Sequence, residues 1–144
     1  MKWIFTFGFA LLFVSVQAQK PVNTLMGVAV KGYDVVSYFD QKAKRGSQNF
    51  EHKHEGTTYY FSSAANKEKF IANPQKFLPQ YGGFCAYAMG KTGDQVDINP
   101  NTFEIRDGKL YLFYNSLFNN TLKSWIKEKP SSLIPVANKN WAKL

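Results

Sequence analysis

The sequence is poor in cysteine and histidine, which limits the chemistry that it can support. Its 144 residues contain one cysteine, Cys85, and two histidines, His52 and His54. A single cysteine cannot form an internal disulfide, so the core has to be stabilised by packing alone. Aromatic residues make up 17% of the chain, and we expect most of them to supply that packing.

The sequence also lacks the motifs of common enzyme classes. It contains no phosphate-binding loop, no dinucleotide fingerprint and no Ser-His-Asp order of a hydrolase. Four aspartates, Asp34, Asp94, Asp97 and Asp107, occur in patterns typical of helix caps and turns. We therefore expect a protein without catalytic activity.

Acidic residues are outnumbered by basic ones. The 10 aspartates and glutamates against 18 lysines and arginines give a formal net charge of +8. A basic, aromatic-rich chain can bind nucleic acid, but here the lysines are spread along the sequence rather than clustered between aromatics. We expect no nucleic-acid partner and interpret the charge as solvated surface with a weak attraction to anionic lipids.

Long apolar runs are absent except at the N-terminus, where Trp3 to Val14 are mostly apolar. Val16 and Ala18 supply a small-residue cleavage site, so Met1 to Ala18 is predicted to be a secretory signal peptide. An uncleaved membrane anchor is the alternative, although the run is shorter than the ~20 residues that span a bilayer. Cleavage would leave an exported protein, periplasmic or secreted, with no transmembrane anchor.

The 144 − 18 = 126 residues that remain are enough for one domain and too few for two. We expect a flexible lead over Gln19 to Met26, a core over residues 27–130 and a C-terminal strap over residues 131–144. The strap is expected to pack back on the core because it carries apolar side chains at Leu133, Ile134, Val136 and Trp141.

A stretch in the middle of the chain carries the clearest local signals. Thr57 to Phe61 is β-branched and aromatic, which favours a half-buried strand. The two serines that follow can cap a helix over Ala64 to Ala72, with Phe70 and Ile71 facing inward. Asn73-Pro74 ends this helix, because the residue before a proline is pushed out of the α region. The prediction is a strand, a tight cap and a short helix.

This stretch closely resembles the core of the YHS domain, whose usual form reads Y-Y-F-C-S-x-x-C-x-x-x-F-x-x-[DN]-P-x-x-[FY]. Two further segments, Gly32 to Phe39 and Pro79 to Ala86, resemble the small exported single-domain proteins of that family. Eight residues fall on the central pattern without a gap: Tyr59, Tyr60, Phe61, Ser63, Phe70, Asn73, Pro74 and Phe77.

The chain departs from the family form at the cysteines. Two family cysteines, four residues apart, favour soft metals at the start of the helix, but here these positions are Ser62 and Asn66. A third family cysteine lies in a D-P-V-C segment that aligns with Asp34 to Ser37. The resemblance therefore implies that the fold is retained and that the thiolate metal site is not.

Two hairpins are predicted around the central stretch. Asn49 to Glu55 alternates weakly and turns through Glu55-Gly56 into the strand at Thr57. Asp107-Gly108 joins Thr102 to Ile105 with Lys109 to Tyr114, whose two apolar faces predict burial on both sides.

The predicted helices follow the hairpins or lie between them. Asn115 or Ser116 is expected to cap a helix that Pro130 ends, with inward residues Leu117, Phe118, Leu122, Trp125 and Ile126. The predicted fold class is α+β: a small antiparallel sheet of hairpins packed against three or four short helices.

Cys85 is the leading candidate site residue. We expect it in the first turn of a short helix from Phe84 to Met89, ended by Gly90 and preceded by the Gly82-Gly83 pair. A thiol placed in this way can react or ligate a soft metal. The alternative is a buried thiol that acts as a small hydrophobe, which its apolar neighbours favour.

The histidines are the second candidate. His52 and His54 share one face of the predicted strand with Phe50, a spacing at which two imidazoles can reach one copper or zinc ion. Cys85 nearby would complete a Cys-His-His metal site. The alternative is two exposed histidines on an edge hairpin.

Tyrosines and glycines are candidates for a ligand pocket. Tyr33, Tyr81 and Tyr87 can line such a pocket with their hydroxyls, and Gly82 and Gly83 let a ligand approach the backbone. The alternative is that the three rings belong to the core.

Three functions from different classes fit these residues. The first is an exported, non-catalytic YHS-type protein that binds a metal ion or a small ligand near Cys85 and the tyrosines, with copper or zinc as the expected metals. The second is a thiol-based redox or metal-handling protein in which Cys85 reacts. The third is a structural or partner-binding module that kept the fold after losing the metal site.

Overall fold

An α+β fold, as predicted, is formed by eight short strands and five helices in the computed structural model, which describes residues 10–15 and 17–144. The predicted signal peptide, Met1 to Ala18, lies largely outside the described residues. The strands are β1 (Thr24–Leu25), β2 (Val28–Ala29), β3 (Ser47–His54), β4 (Thr57–Phe61), β5 (Asn99–Arg106), β6 (Lys109–Phe113), β7 (Asn115–Ser116) and β8 (Asn119–Asn120). The helices are α1 (Ala64–Ala72), α2 (Pro74–Phe77), α3 (Ala86–Lys91), α4 (Thr121–Lys127) and α5 (Pro130–Ala142).

The strands form one four-stranded sheet and two separate hairpins. The sheet has the order β1-β2-β4-β3, in which β3 and β4 are the predicted antiparallel hairpin and β2 runs parallel to β4. The predicted β5–β6 hairpin also forms, but as a two-stranded sheet of its own. It does not extend the first sheet, and Leu110 of β6 forms a single parallel bridge with Pro79 in the segment after α2.

The central stretch folds as the sequence predicts. β4 leads directly into α1, and the Ser63 hydroxyl caps the helix by accepting a hydrogen bond from the Asn66 N–H at 3.1 Å. Phe70 is fully buried, but the prediction for Ile71 was wrong, since its side chain is 40% exposed. Adjacent residues of a helix point about 100° apart, so a nine-residue helix lying on one surface buries only one of the two.

The segment from Gln19 to Met26 is not a flexible lead, contrary to the prediction. Its last part forms strand β1, and the Asn23 side chain and backbone bond to the double-glycine segment. The Asn23 N–H donates to the Gly82 oxygen at 2.8 Å, and its amide donates to the Gly83 oxygen at 3.2 Å.

The helix after β6 begins later than predicted. Asn115 and Ser116 do not cap it, because they pair with Asn119 and Asn120 in the small β7–β8 hairpin. The cap is Asn120, whose side-chain oxygen accepts hydrogen bonds from the first turn of α4. Leu117 and Phe118, predicted to face the core from a helix, therefore lie at the hairpin tip.

The C-terminal region packs on α3. Gly90 does not end α3, as predicted, but lies inside it at the contact with α5, where an added Cβ would be 3.2 Å from the Leu133 oxygen. Asn140 of α5 also donates to the Met89 oxygen at 2.7 Å. Pro130 begins α5 rather than only ending the helix before it, a position where proline is favoured.

Two clusters of buried side chains make up the core. The first lies between the four-stranded sheet, α1 and β6, and includes Cys85. The second lies between β6 and the helices α3, α4 and α5. Leu110 and Leu112 of β6 belong to the first cluster and Tyr111 and Phe113 to the second, which confirms that this strand is covered on both faces.

Candidate functional site

A buried carboxylate occupies the place where the resemblance would put a metal site. Asp34 is 0% exposed, and both its oxygens accept hydrogen bonds. Oδ2 accepts from the Ser62 N–H at 2.8 Å, the Ser62 hydroxyl at 2.6 Å and the Asn66 amide at 2.8 Å. Oδ1 accepts from the Val36 and Ser37 N–H groups at 2.9 and 3.3 Å.

This network uses the two positions that are cysteines in the family form. Ser62 and Asn66 point at Asp34 and donate to it, so their polar atoms are engaged inside the protein. A carboxylate that accepts this many hydrogen bonds is satisfied without a cation. Among the described residues, no three His, Cys, Asp or Glu side chains lie together as a metal site would require. Hydrogen bonds from Ser62 and Asn66 to Asp34 therefore connect the β4–α1 junction to the segment after Tyr33.

Cys85 is buried rather than open to a ligand. It lies one residue before α3, as its cap residue, and not in the first turn as predicted. Its thiol is 0% exposed and its sulfur lies 3.4 Å from the Thr121 hydroxyl oxygen. That hydroxyl donates to the Tyr114 oxygen at 2.6 Å, so the thiol is the donor to Thr121. These contacts favour the structural interpretation of Cys85.

The burial of Cys85 makes its reactivity a direct test of the redox hypothesis. Labelling of the native protein with a thiol reagent should be at least about a thousandfold slower than labelling in urea, because the reagent must wait for an opening of the structure. The measurement is the absorbance of released thionitrobenzoate over time. Native labelling at a rate close to that in urea would contradict the structural role.

The two histidines pack against α1. His52 and His54 lie on the same face of β3, as predicted, and both are half-buried. Their rings contact Phe70, with centroid distances of 6.2 and 5.6 Å, and His54 also contacts Tyr59. The two imidazoles are thus partly covered by aromatic rings and not fully exposed at the sheet edge.

The predicted pocket residues do not share one site. Tyr81 is buried in the second cluster, donates to Asn138 at 2.9 Å and has its pKa raised by burial. The Tyr87 hydroxyl donates to Glu128 at 2.7 Å, and this hydrogen bond raises the Tyr87 pKa. The backbone of residues 21–23 packs directly against Gly82 and Gly83. A Cβ on Gly82 would collide with the Pro21 oxygen. The double glycine thus serves close packing of the chain rather than access for a ligand.

Tyr81 and Gly82 line a small cleft of about 340 Å³, and Tyr33 alone of this set lines a second, larger one. The cleft, called here the Tyr33–Arg45 cleft, has a volume of about 450 Å³. Its walls come from three separate parts of the chain, β1 to Arg45, the segment 97–101, and the end of β6 with β7. The lining residues with polar side chains are Lys31, Tyr33, Arg45, Asp97, Asn99, Asn101, Tyr114 and Asn115.

The charges in the cleft are only partly compensated. Lys31 and Asp97 form an ion pair at 2.9 Å. Burial alone would raise the Asp97 pKa, but the hydrogen bonds from Asn23 and Lys31 outweigh it and hold the pKa below its usual value. The Arg45 guanidinium carbon lies over the Tyr33 ring, 5.2 Å from the ring centroid. It makes no ion pair with any residue that the structure describes, so the cleft carries one uncompensated positive charge.

Sequence reasoning missed Arg45 and Asp97 as site residues. Arg45 was placed in a polar surface loop and Asp97 in a turn, and neither position carries a recognisable motif. The available signal was the cluster of cations at Lys42, Lys44 and Arg45 close to the tyrosine of the Gly32-Tyr33 turn. The bridge between Tyr33 and Arg45, which closes this loop, depends on tertiary pairing.

A second groove lies between the turn after Ser37 and the α1–α2 junction. Its volume is about 610 Å³, and Val36, Phe39 and Phe77 supply apolar walls with Lys69 and Lys76 among its polar lining residues. The Lys76 ammonium lies over the Phe77 ring at 5.3 Å. One of its lining residues, Asn73, carries an amide and none carries a hydroxyl, whereas the Tyr33–Arg45 cleft has three amides and two hydroxyls, so we favour that cleft as the ligand site.

No protein-family model, curated protein or solved structure matches this chain. Within the described residues, no helix combines the length and the apolar character needed to cross a membrane.

Proposed function

We propose that this chain is an exported YHS-type protein that binds a small anionic ligand without catalysing a reaction, and that the ligand lies in the Tyr33–Arg45 cleft. Arg45 is the observation that carries the proposal. Its guanidinium lies over the Tyr33 ring, 5.2 Å from the ring centroid, and is not neutralised by a carboxylate among the described residues. A cation–π contact is not a hydrogen bond from the guanidinium N–H groups, so these can still donate to a ligand.

The charge of the cleft favours an anion over a metal cation. Lys31 and Arg45 contribute two positive charges, and Asp97 contributes the one carboxylate of the lining. That carboxylate is held by Lys31 and Asn23. Hard cations require several oxygen ligands with negative charge, whereas a guanidinium pairs naturally with a carboxylate or a phosphate.

Neutral groups in the cleft can orient such a ligand. The hydroxyls of Tyr33 and Tyr114 and the amide of Asn101 form no hydrogen bond to another side chain in the described part of the chain. A volume of about 450 Å³ suits a small molecule rather than a polymer. The proposed ligand is therefore a small carboxylate or phosphate that leaves room for water.

The other two hypotheses have less support. Redox or metal handling through Cys85 requires access to a thiol that is 0% exposed. A purely structural role does not explain why Arg45 lines a cleft without a carboxylate partner among the described residues. Catalysis is not part of the proposal, because Asp34 is saturated by internal hydrogen bonds and lies outside the cleft lining.

Titration with inorganic phosphate and with citrate tests the proposal. We expect saturable binding in ¹H–¹⁵N spectra, with shift changes centred on Arg45, Asn101 and Asn115, and weaker binding at higher ionic strength. Arg45→Gln should lower the affinity at least about tenfold, the loss expected for one charge-assisted hydrogen bond.

Lys44→Gln is the matched control, because Lys44 is the exposed neighbouring cation and does not line the cleft. Its affinity should stay close to that of the wild type. The proposal fails if neither anion binds saturably, or if the two variants lose affinity equally. Stoichiometric binding of copper or zinc that Cys85→Ser abolishes would instead support metal handling.

A further inference from the structure

The tip of the β7–β8 hairpin is apolar and almost fully exposed. Leu117 is 90% exposed and Phe118 is 95% exposed. Apart from Phe13, every other aromatic ring in the described residues is buried or half-buried, so the exposure of this tip is unusual for the chain. Exposed apolar groups of this kind often mark an interaction site.

The residues at this tip also depart from the turn chemistry used elsewhere in the chain. Three other two-residue turns end in glycine and have positive φ at both positions: Met26-Gly27, Glu55-Gly56 and Asp107-Gly108. These are the residues that tight hairpins favour. Leu117-Phe118 has neither the glycine nor the positive φ values. Three turns use the glycine and positive φ values that tight hairpins favour, and this one does not, which suggests that the tip serves a function other than folding.

A second apolar turn lies at the same end of the molecule. Met26 is 96% exposed and Leu25 is 56% exposed at the β1–β2 turn. Leu25 and Asn115 line the same cleft, so this turn and the base of the β7–β8 hairpin flank one opening. Arg45 lines that opening as well.

The segments that meet here carry more positive than negative charge, and Asp97, the acidic residue of the cleft lining, is paired with Lys31. Residues 113–127 contain Lys123 and Lys127 and no aspartate or glutamate. Residues 14–33 and 41–50 also lack acidic residues. Lys123 is exposed in the first turn of α4, immediately after the hairpin.

We infer that this end of the molecule docks on a bilayer that contains anionic phospholipid. Leu117 and Phe118 enter the boundary between headgroups and acyl chains. Lys123 and Arg45 face the headgroup phosphates. Apolar groups that insert and cations that meet anionic headgroups are the two terms that drive interfacial binding.

A bilayer fits this surface better than a protein partner does. Two side chains of this kind bury at most about 150–250 Å² each, whereas a specific protein interface buries about 800 Å² on each partner. A bilayer needs no complementary shape, since a projecting tip can insert into it. The excess of cations over acidic residues around the tip also matches an anionic surface.

The inference shares Arg45 with the proposed function, but it is carried by the hairpin tip and not by the ligand in the cleft. Leu117→Ser/Phe118→Ser should therefore bind phosphate as the wild type does. Arg45→Gln should lose phosphate binding while the apolar tip remains intact. The two proposals can fail separately.

Co-sedimentation with vesicles tests the inference. The wild type should bind vesicles of phosphatidylcholine mixed with phosphatidylglycerol and bind phosphatidylcholine alone much more weakly. Leu117→Ser/Phe118→Ser should reduce the partition coefficient at least about tenfold, because two large apolar side chains no longer leave water. All proteins compared should share one N-terminus, since Leu11 to Val14 are apolar and would bind lipid equally in each.

A second measurement reports on the tip alone. In Phe118→Trp, the emission of the added tryptophan, after subtraction of the wild-type spectrum, should shift to the blue when anionic vesicles are added. Ile71→Ser/Val136→Ser is the matched control, because it removes two partly exposed apolar side chains elsewhere and should bind vesicles as the wild type does. Equal melting temperatures would show that each variant folds.

Three results would overturn the inference. The first is unchanged vesicle binding by Leu117→Ser/Phe118→Ser together with no emission shift in Phe118→Trp. The second is equal binding to anionic and neutral vesicles. The third is self-association that this double substitution abolishes in a protein that binds no vesicles, which would assign the tip to a second copy of the chain.

Discussion

Asp34→Asn should lower the free energy of unfolding by about 2–4 kcal/mol, although the new side chain has the same shape. An asparagine offers one acceptor oxygen and one amide group that only donates. If the oxygen faces Ser62 and Asn66, the amide faces the N–H groups of Val36 and Ser37. If it is reversed, the amide faces the donors on Ser62 and Asn66. In either orientation, buried donors oppose donors and lose their partners.

The measurement is urea unfolding followed by circular dichroism, with Asp107→Asn as the matched control. Asp107 is exposed in a turn at φ 50°, a conformation that asparagine adopts readily, so its substitution should change stability by no more than about 0.5 kcal/mol. The free energy of desolvating a buried charge can be as large as the stabilisation that its hydrogen bonds provide. Equal stability of Asp34→Asn and the wild type would show that balance and would remove the network as a reason for the fold's stability.

The coupling between Asp34 and Asn66 can be isolated with a double-mutant cycle. Asn66→Ala alone removes one donor to Oδ2, 32 residues away in sequence. In the Asp34→Asn background it should cost less than in the wild type, because the contact is already impaired. If the free-energy costs of the two substitutions simply add in the double mutant, a direct interaction between Asp34 and Asn66 is contradicted.

Sequence reasoning predicted those parts of the fold whose signals are local. The strand at Thr57, the Ser63 cap and the Asn73-Pro74 stop all act within a few residues, so the β4–α1 unit could be placed closely. Asp107-Gly108 defined its hairpin for the same reason. The helix expected after Asn115 failed because Leu117 and Phe118 fit a helical period, and local sequence does not show that Asn120 is the cap.

The candidate site was harder to predict because tertiary pairing assembles it. Tyr33 was predicted as one of three tyrosines that can line a pocket, but Arg45 and Asp97 reach its cleft from distant segments. Ser62 and Asn66 were recognised as departures from the pattern that the chain resembles. Their role as donors to Asp34 was not predicted, since these contacts join residues 28 and 32 positions apart. The exposed hairpin tip was concealed by the same helical pattern that misplaced α4.

Phe70→Ala should lower the free energy of unfolding by about 3–5 kcal/mol, whereas Ile71→Ala on the next position should cost less than about 1 kcal/mol. Phe70 is 0% exposed, and its ring lies 5.1 Å from both Tyr59 and Phe61, measured between centroids. Removing the Phe70 ring opens a cavity between α1 and the sheet. Truncating Ile71 opens only a small cavity because its side chain is 40% exposed.

The pair of substitutions tests which face of α1 meets the sheet. Urea unfolding gives both free energies, and an unchanged m value in each variant would show that the unfolded states are comparable. Equal costs at the two positions would mean that the helix is rotated from the orientation described. The unequal costs expected here would follow from packing: α1 is a nine-residue helix with no cysteine to form a disulfide, so a single aromatic ring on its inner face supplies much of its attachment to β4.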